Sequence, residues 1–407
     1  MRNSIIVLLV LLIFGGDVYA QSRPAAKKGK GKTKAVVAEK GGTPPAKEGA
    51  PKPKKENLWV HPGGNLLSTS FASDGKSAVS VNSEGDIFFW DVDSGNKIRT
   101  VRSGSKAVAA AFFGNKQIAL GGGLDKDNAI FMQNLTTGKK TETLAGHKGG
   151  ITTLAFSVDG ESILSGGWNN QVVLWGVEHG DIVRVFKGHD AVVNAVAVSP
   201  DRVIAASGSA DGKIKIWNMS TGELVQTIKA HKKGVSKVAF SPDGKLILSG
   251  GIEKGTGQDK KKDIYPIKLW DVATGKPLSK TNIGEHKVPL SIAIFSPNGN
   301  FALSSDRDGV MKLWDITAAG VVLPKGAPAP QNEVRTFEGH AGGISTASFS
   351  PDGTRVLAGG NGTLTLWETE TGKVLGGGKT PPVEGVPPPE TEKPNEPPAG
   401  GVPPVKG

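Results

Sequence analysis

Tryptophan returns along this chain at nearly regular intervals, each time at the end of a short alternating strand. The segments "DIFFWDVDSG", "QVVLWGVEHG", "KIKIWNMSTG", "PIKLWDVATG", "VMKLWDITAAG" and "TLTLWETETG" place it at Trp90, Trp175, Trp217, Trp270, Trp314 and Trp367. A seventh copy, "AIFMQNLTTG", has Gln133 instead. Successive anchors are 43, 42, 42, 53, 44 and 53 residues apart. The two long intervals carry insertions, so the base period is 42–44 residues. Apolar residues alternating with period two mark a strand, and the turn closing on Gly marks a hairpin. A unit this short cannot bury its own apolar faces, so neighbouring units must stack on one another.

Six of the seven units also have an earlier strand that ends in a turn: "FASDG", "FSVDG", "VSPDR", "FSPDG", "FSPNG", "FSPDG". Pro presets φ at the first central position, Asp or Asn accepts the next, and Gly takes the positive φ that follows. "GH" or a relative of it precedes that strand at His147, His189, His231, His286 and His340, with His61 in nearly the same place. The period lies inside the range for a four-stranded propeller blade.

Together these features resemble the WD-repeat β-propeller family, with seven copies over residues 57–376. The resemblance implies an all-β fold of seven blades around a central channel. It also implies circular closure, with one blade built from both chain ends. "NLWV", Asn57 to Val60, is expected to pair with the blade of Trp367, in competition with "GKVLGG" after that Trp. In this family His, Ser or Thr, Asp and Trp form a hydrogen-bonded set within a blade. Carried over, one set is His189, Ser207, Asp211 and Trp217, and another is His286, Ser304, Asp308 and Trp314. A third, His147, Ser165 and Trp175, has Asn169 for the Asp. His340 and Trp367 have Asn361 there and no clear Ser, and the Gln133 unit keeps only Asp127.

A Ser, a His and an Asp in one neighbourhood also describe a nucleophile, its base and its orienter. An enzyme needs one such triad in one cleft, whereas here the cluster recurs with tolerated losses. The expectation is therefore structural, and no catalytic residue is assigned. There is no G-x-S-x-G elbow, H-E-x-x-H or P-loop. "LDKDN" and "DRDG" resemble calcium loops but lack the later ligand positions. The histidines belong to different blades, so neither a metal site nor a cofactor is expected.

What remains is surface. Trp168 in "GGWNNQ" and Arg307 in "DRDG" hold the same place in two blades, on what the resemblance implies is the top face. Aromatic and Arg side chains are enriched at interface hot spots. Lys148, Lys232, Lys233 and Lys287 follow the "GH" positions, and an insertion adds Lys260, Lys261 and Lys262. These are candidate partner-binding residues. The plainer alternatives are a Trp168 folded over a neighbouring blade and lysines that are only solvated loop residues.

The ends read differently. Arg2, the apolar run Ile5 to Phe14 and Val18-Tyr19-Ala20 form the pattern of a secretory signal over residues 1–20, with an uncleaved anchor as the alternative. Residues 21–56 carry a charge of +8 out of +11 for the chain and almost no large apolar residue, as a disordered linker does. Residues 377–407 are a Pro-rich, disordered tail. There is no Cys, which excludes disulfides and thiolate metal sites. Basicity confined to one segment is poor evidence for specific nucleic-acid binding. The expectation is an exported monomer of the periplasm, envelope or exterior, without a membrane span once the signal is removed. It would be a non-catalytic scaffold for a protein partner. Binding of an anionic polymer through residues 21–56 is the alternative, and a hydrolase or lactonase a more distant one.

Overall fold

The computed structural model describes residues 64–122, 128–255, 262–279, 282–317, 333–340 and 342–377. The signal, the Lys-rich segment, Asn57 to His61, Asp127, Lys260, Lys261 and the Pro-rich tail beyond Gly377 lie outside them, and Gly377 itself, expected in the tail, ends the last strand. The described residues form seven antiparallel sheets of four strands each and no helix. None of them therefore belongs to a helix long and apolar enough to cross a membrane.

The sheets, blades 1 to 7 in chain order, form a seven-bladed propeller. Their first strands are Leu66–Phe71, Ala107–Phe113, Ile151–Phe156, Val193–Val198, Gly234–Phe240, Leu290–Phe295 and Thr346–Phe349. Each packs beside the next around the axis, and the last packs against the first. Blade 4 shows how sequence sets position. Its second strand, Ile204–Ser209, is built mostly of small residues and is buried on both faces. Its third, Lys213–Asn218, buries Ile214, Ile216 and Trp217. Its fourth, Leu224–Lys229, is largely exposed at the rim. Burial of both faces of the second and third strands supplies the interblade core.

The tightest interblade contact uses glycine. A Cβ on Gly208 would stand 2.5 Å from Val235 of the next blade. The same holds for Gly166 against Val193 at 2.6 Å, Gly250 against Leu290 at 2.5 Å, and Gly121 against Ile151 at 2.9 Å. The ring closes the same way, with Gly359 of blade 7 against Leu66 of blade 1 at 2.5 Å. At this seam the Thr69 N–H donates to Thr346 Oγ1 at 2.9 Å, and the Ser345 hydroxyl donates to the Leu66 carbonyl at 2.7 Å. Leu66, Phe71 and Trp90 share one core cluster with Leu357, Leu364 and Leu366.

Closure by a strand from the N-terminal end is not what the structure shows. The fourth strand of blade 7 is Val374–Gly377, paired Trp367 with Val374 and Thr365 with Gly377. The competing "GKVLGG" segment holds the slot, because a short turn delivers it directly to the third strand. Every blade is thus one continuous piece of chain. The first insertion lengthens the hairpin of blade 5, whose second and third strands run over nine residues each, Leu246–Lys254 and Asp263–Asp271. Gly359→Val should overpack the seam and cost about 1–3 kcal/mol, read as a lower midpoint in urea unfolding of the full chain.

Candidate functional site

In blade 4 the structure brings His189, Ser207, Asp211 and Trp217 together. The His189 Nδ1–H faces Asp211 Oδ2 at 2.8 Å, and Nε2 faces Ser207 Oγ at 2.8 Å. The Trp217 indole N–H donates to the same Ser207 Oγ at 2.8 Å. Asp211 also accepts the N–H of Lys213 at 2.8 Å and of Asp190 at 3.1 Å, so it pins the hairpin and the incoming loop. A carboxylate only accepts, which puts the imidazole proton on Nδ1 and leaves Nε2 to accept from the Ser hydroxyl. The connectivity is that of a hydrolytic triad. Ser207, however, is 0% exposed, and its oxygen is already shared with an indole. No substrate reaches it, and the cluster works as a buried polar tie.

Blade 6 repeats the tie with one correction. His286 Nδ1 meets Asp306 Oδ2 at 2.8 Å, not Asp308. Its Nε2 meets Ser304 Oγ at 2.7 Å, which the Trp314 indole also reaches at 2.7 Å. "SSDRDG" offers two carboxylates, and the second strand, Phe301–Asp306, carries the first of them inward. Asp306 is buried and accepts the N–H groups of Asp308 at 3.1 Å and Val310 at 3.0 Å, the capping that Asp211 performs in blade 4. Asp308 is left exposed at the turn.

Blade 3 is also corrected. The Trp175 indole donates to Ser165 at 2.8 Å, but Asn169 does not join His147. Asn169 bonds Gln171 at 3.1 Å, and His147 Nδ1 turns to the Gly149 carbonyl at 2.8 Å. In blade 5, His231 Nε2 and the Trp270 indole share Ser249 at 2.9 and 2.8 Å. The carboxylate there is Glu253, 3.8 Å from His231 Nδ1 and drawn off by Lys268 at 2.5 Å. In blade 7 Ala358 holds the place of Ser207, as the absence of a clear Ser implied, and His340 Nδ1 bonds Thr365 of the third strand at 2.9 Å while the Trp367 indole donates to the Glu338 carbonyl at 2.8 Å. In blade 2, buried Gln133 donates to the Gly138 carbonyl at 2.8 Å in place of an indole.

The surface candidates separate. The Trp168 side chain is 63% exposed, and its backbone N–H is held by the Gly150 carbonyl. The Arg307 N–H is held in the same way by the Pro289 carbonyl, and Ala210 fills the corresponding place in blade 4. These three hairpin positions are equivalent, as expected. Arg307 is exposed and lines the channel mouth, in a cavity of about 400 Å3 that does not include Trp168. Lys148, Lys232 and Lys287 are exposed, and Lys233 is paired with Asp263 at 2.5 Å. Lys262 also lies at the surface, beside the lengthened hairpin. Sequence reasoning missed Lys237, which lines the same cavity as Arg307. The available signal was a lone Lys in the otherwise uncharged strand "GVSKVAF". Among the described residues no group of three or more His, Asp or Glu side chains is placed to hold a metal.

Five stretches, residues 138–176, 180–218, 222–256, 276–315 and 331–368, match the family described as WD domain, G-beta repeat. The protein is a WD-repeat β-propeller. Each match starts at or near the fourth strand of one blade, and four of the five run through the third strand of the next; the match over 222–256 stops after the second strand of blade 5. Among the relatives of this WD-repeat chain is the guanine nucleotide-binding protein subunit beta of Oryza sativa subsp. japonica, 36% identical over 112 residues, which are 26% of this chain and 27% of the relative. WD repeat and SOCS box-containing protein 1 of Danio rerio is 31% identical over 106 residues, 26% of this chain and 22% of the relative. Protein tipD of Dictyostelium discoideum is 27% identical over 325 residues, 79% of this chain and 42% of the relative. The chain spans less than half the length of these curated relatives.

Burial holds His147, His189, His231, His286 and His340 below the usual imidazole range, His231 at about 3 with Lys268 adding to the effect. These groups are neutral when folded and take up protons when unfolded, so the unfolded state binds more protons below pH 6.5. Stability must therefore fall as pH drops through that value. For His231 the loss should approach 1.4 kcal/mol per pH unit, about the linkage limit for one group, and His231→Gln should flatten the profile. Urea unfolding between pH 7.5 and 5 measures it. Asp306→Asn should cost about 1–3 kcal/mol. Asp308→Asn should stay within about 0.5 kcal/mol. Equal losses would return Asp308 to the network.

Proposed function

We propose that this propeller is a non-catalytic scaffold, exported to the cell envelope or exterior, that binds a protein partner through its top face. The carrying observation is Trp168, a large aromatic side chain left 63% exposed on a hairpin whose backbone is fixed by Gly150. An exposed indole on a rigid support loses little conformational entropy when a partner covers it. Arg307, at the equivalent place three blades on, supplies the other favoured anchor type. The buried Ser–His–Asp ties support a non-catalytic reading, because they stabilise blades rather than face solvent. The Oryza sativa relative is named as a subunit, which is in keeping with work inside an assembly. Export rests on the apolar pattern of residues 1–20.

The alternative is attachment to an anionic polymer through residues 21–56, favoured by their charge of +8. The test is capture from an envelope extract by the full chain, by Trp168→Ala plus Arg307→Ala, and by a chain lacking residues 21–56. Top-face binding predicts a partner that survives the deletion and moderate salt. The double variant should weaken it at least about 30-fold, the loss of one hot spot of about 2 kcal/mol. Capture that follows the basic segment and disappears in moderate salt would overturn the top-face reading.

A further inference from the structure

The channel mouth gathers two cations and no carboxylate. The cavity of about 400 Å3 is lined by Lys237, Arg307, Asn65, Asn361, Ser291 and Ser345, with Leu290, Ile344 and Gly343 completing its wall. Among the described residues, neither the Lys237 ammonium nor the Arg307 guanidinium has a hydrogen-bond or ion-pair partner. Elsewhere in the molecule comparable cations are matched: Lys268 with Glu253, Lys213 with Asp190 and Lys312 with Glu333. Lys237 is partly buried like these but has no carboxylate beside it in the cavity.

The register makes the same point. Lys237 is the first residue after the bulge in its first strand, opposite Gly250. The residues at that place in the other six blades are Ser68, Ala109, Thr153, Ala195, Ile292 and Thr346. All are uncharged, so the fold does not require a cation here. Lys237 is only partly exposed, yet nothing from the protein compensates its charge. Burial, with the nearby charge of Arg307, pushes it down to about 8. An unpaired cation in a confined space is unfavourable unless an anion joins it. Ser291 is committed to Ser305 at 2.9 Å, and Ser345 to the Leu66 carbonyl. The free donors are therefore the ammonium, the guanidinium fork and the two Asn amides, a set suited to the several lone pairs of an oxyanion.

We propose that Lys237 and Arg307, flanked by Asn65 and Asn361, form an oxyanion-binding subsite at the channel mouth that takes one carboxylate or phosphate group. The group is either free in solution or carried on an acidic peptide side chain. The second case deepens the partner-binding role proposed above and rests on it, whereas the first does not.

The test follows the lysine Cε resonances of the full chain, labelled with 13C-lysine, through a pH titration. Lys237 is identified by the signal lost in Lys237→Met. The titration is run in chloride, with millimolar inorganic phosphate, with a glutamate-rich hexapeptide, and with the same peptide carrying glutamine. An anion in the subsite should raise the Lys237 midpoint by about one pH unit or more, the shift expected of an opposite charge at close range. Arg307→Gln, a change at an exposed side chain, should abolish that response. A shift with phosphate assigns the site to a free oxyanion, and a shift with the glutamate peptide alone assigns it to an acidic side chain. Identical Lys237 titrations in all four conditions would overturn the proposal, as would an unchanged response in Arg307→Gln. No partner is needed for this readout, so its failure and that of the capture experiment are separate results.

Discussion

The structure depends on one repeated contact. An apolar side chain from each first strand sits against a second-strand glycine of the preceding blade, in five of the seven junctions. Ile151, Val193, Val235, Leu290 and Leu66 occupy space that any Cβ would fill. The contact sets how closely two sheets approach near the axis, and hence the wedge angle that lets seven of them close. The same close approach keeps water from the Ser hydroxyls and imidazoles behind it. The hairpin ends escape the constraint, and Trp168 and Arg307 are found there.

The buried His–Ser–Trp ties show how connectivity alone misleads. Ser207, His189 and Asp211 are joined as a nucleophile, base and orienter would be, at hydrogen-bond distances throughout. Access and partner choice decide otherwise, since the hydroxyl is engaged by an indole and sealed from solvent. The pattern of loss has the same logic. Blade 3 replaces the carboxylate with a backbone carbonyl, blade 5 holds Glu253 at a distance with Lys268, and blade 7 substitutes a threonine hydroxyl. A structural tie tolerates such changes if most buried polar atoms find partners. A catalytic centre would not.

Much of the fold was legible because period, Trp anchors and turn residues are local signals repeated many times. Seven units, their order and the hairpin positions of Trp168 and Arg307 all follow from counting along the chain. The failures came where a choice depends on three dimensions. Asp306 and Asp308 are two residues apart in one motif, and only the register of the second strand selects the inward one. The closing strand was ambiguous because two segments of suitable pattern compete for one edge. Lys237 needed an alignment of the first strands against their bulges. Only then does a charge in "GVSKVAF" stand out against six neutral counterparts.

Each blade comes from one uninterrupted segment, and this has a mechanical meaning. Among the described residues no strand crosses from the last blade to the first, so none of them latches the ring through the backbone. The seam is held by Leu66 against Gly359, by hydroxyl bonds from Thr346 and Ser345, and by an exposed Arg355–Asp93 pair. Tension drawing blade 1 away from blade 7 would part the ring there with every sheet intact, like a washer split at its gap. The opened form would keep its secondary structure while giving up the channel and the spacing of the loops around it.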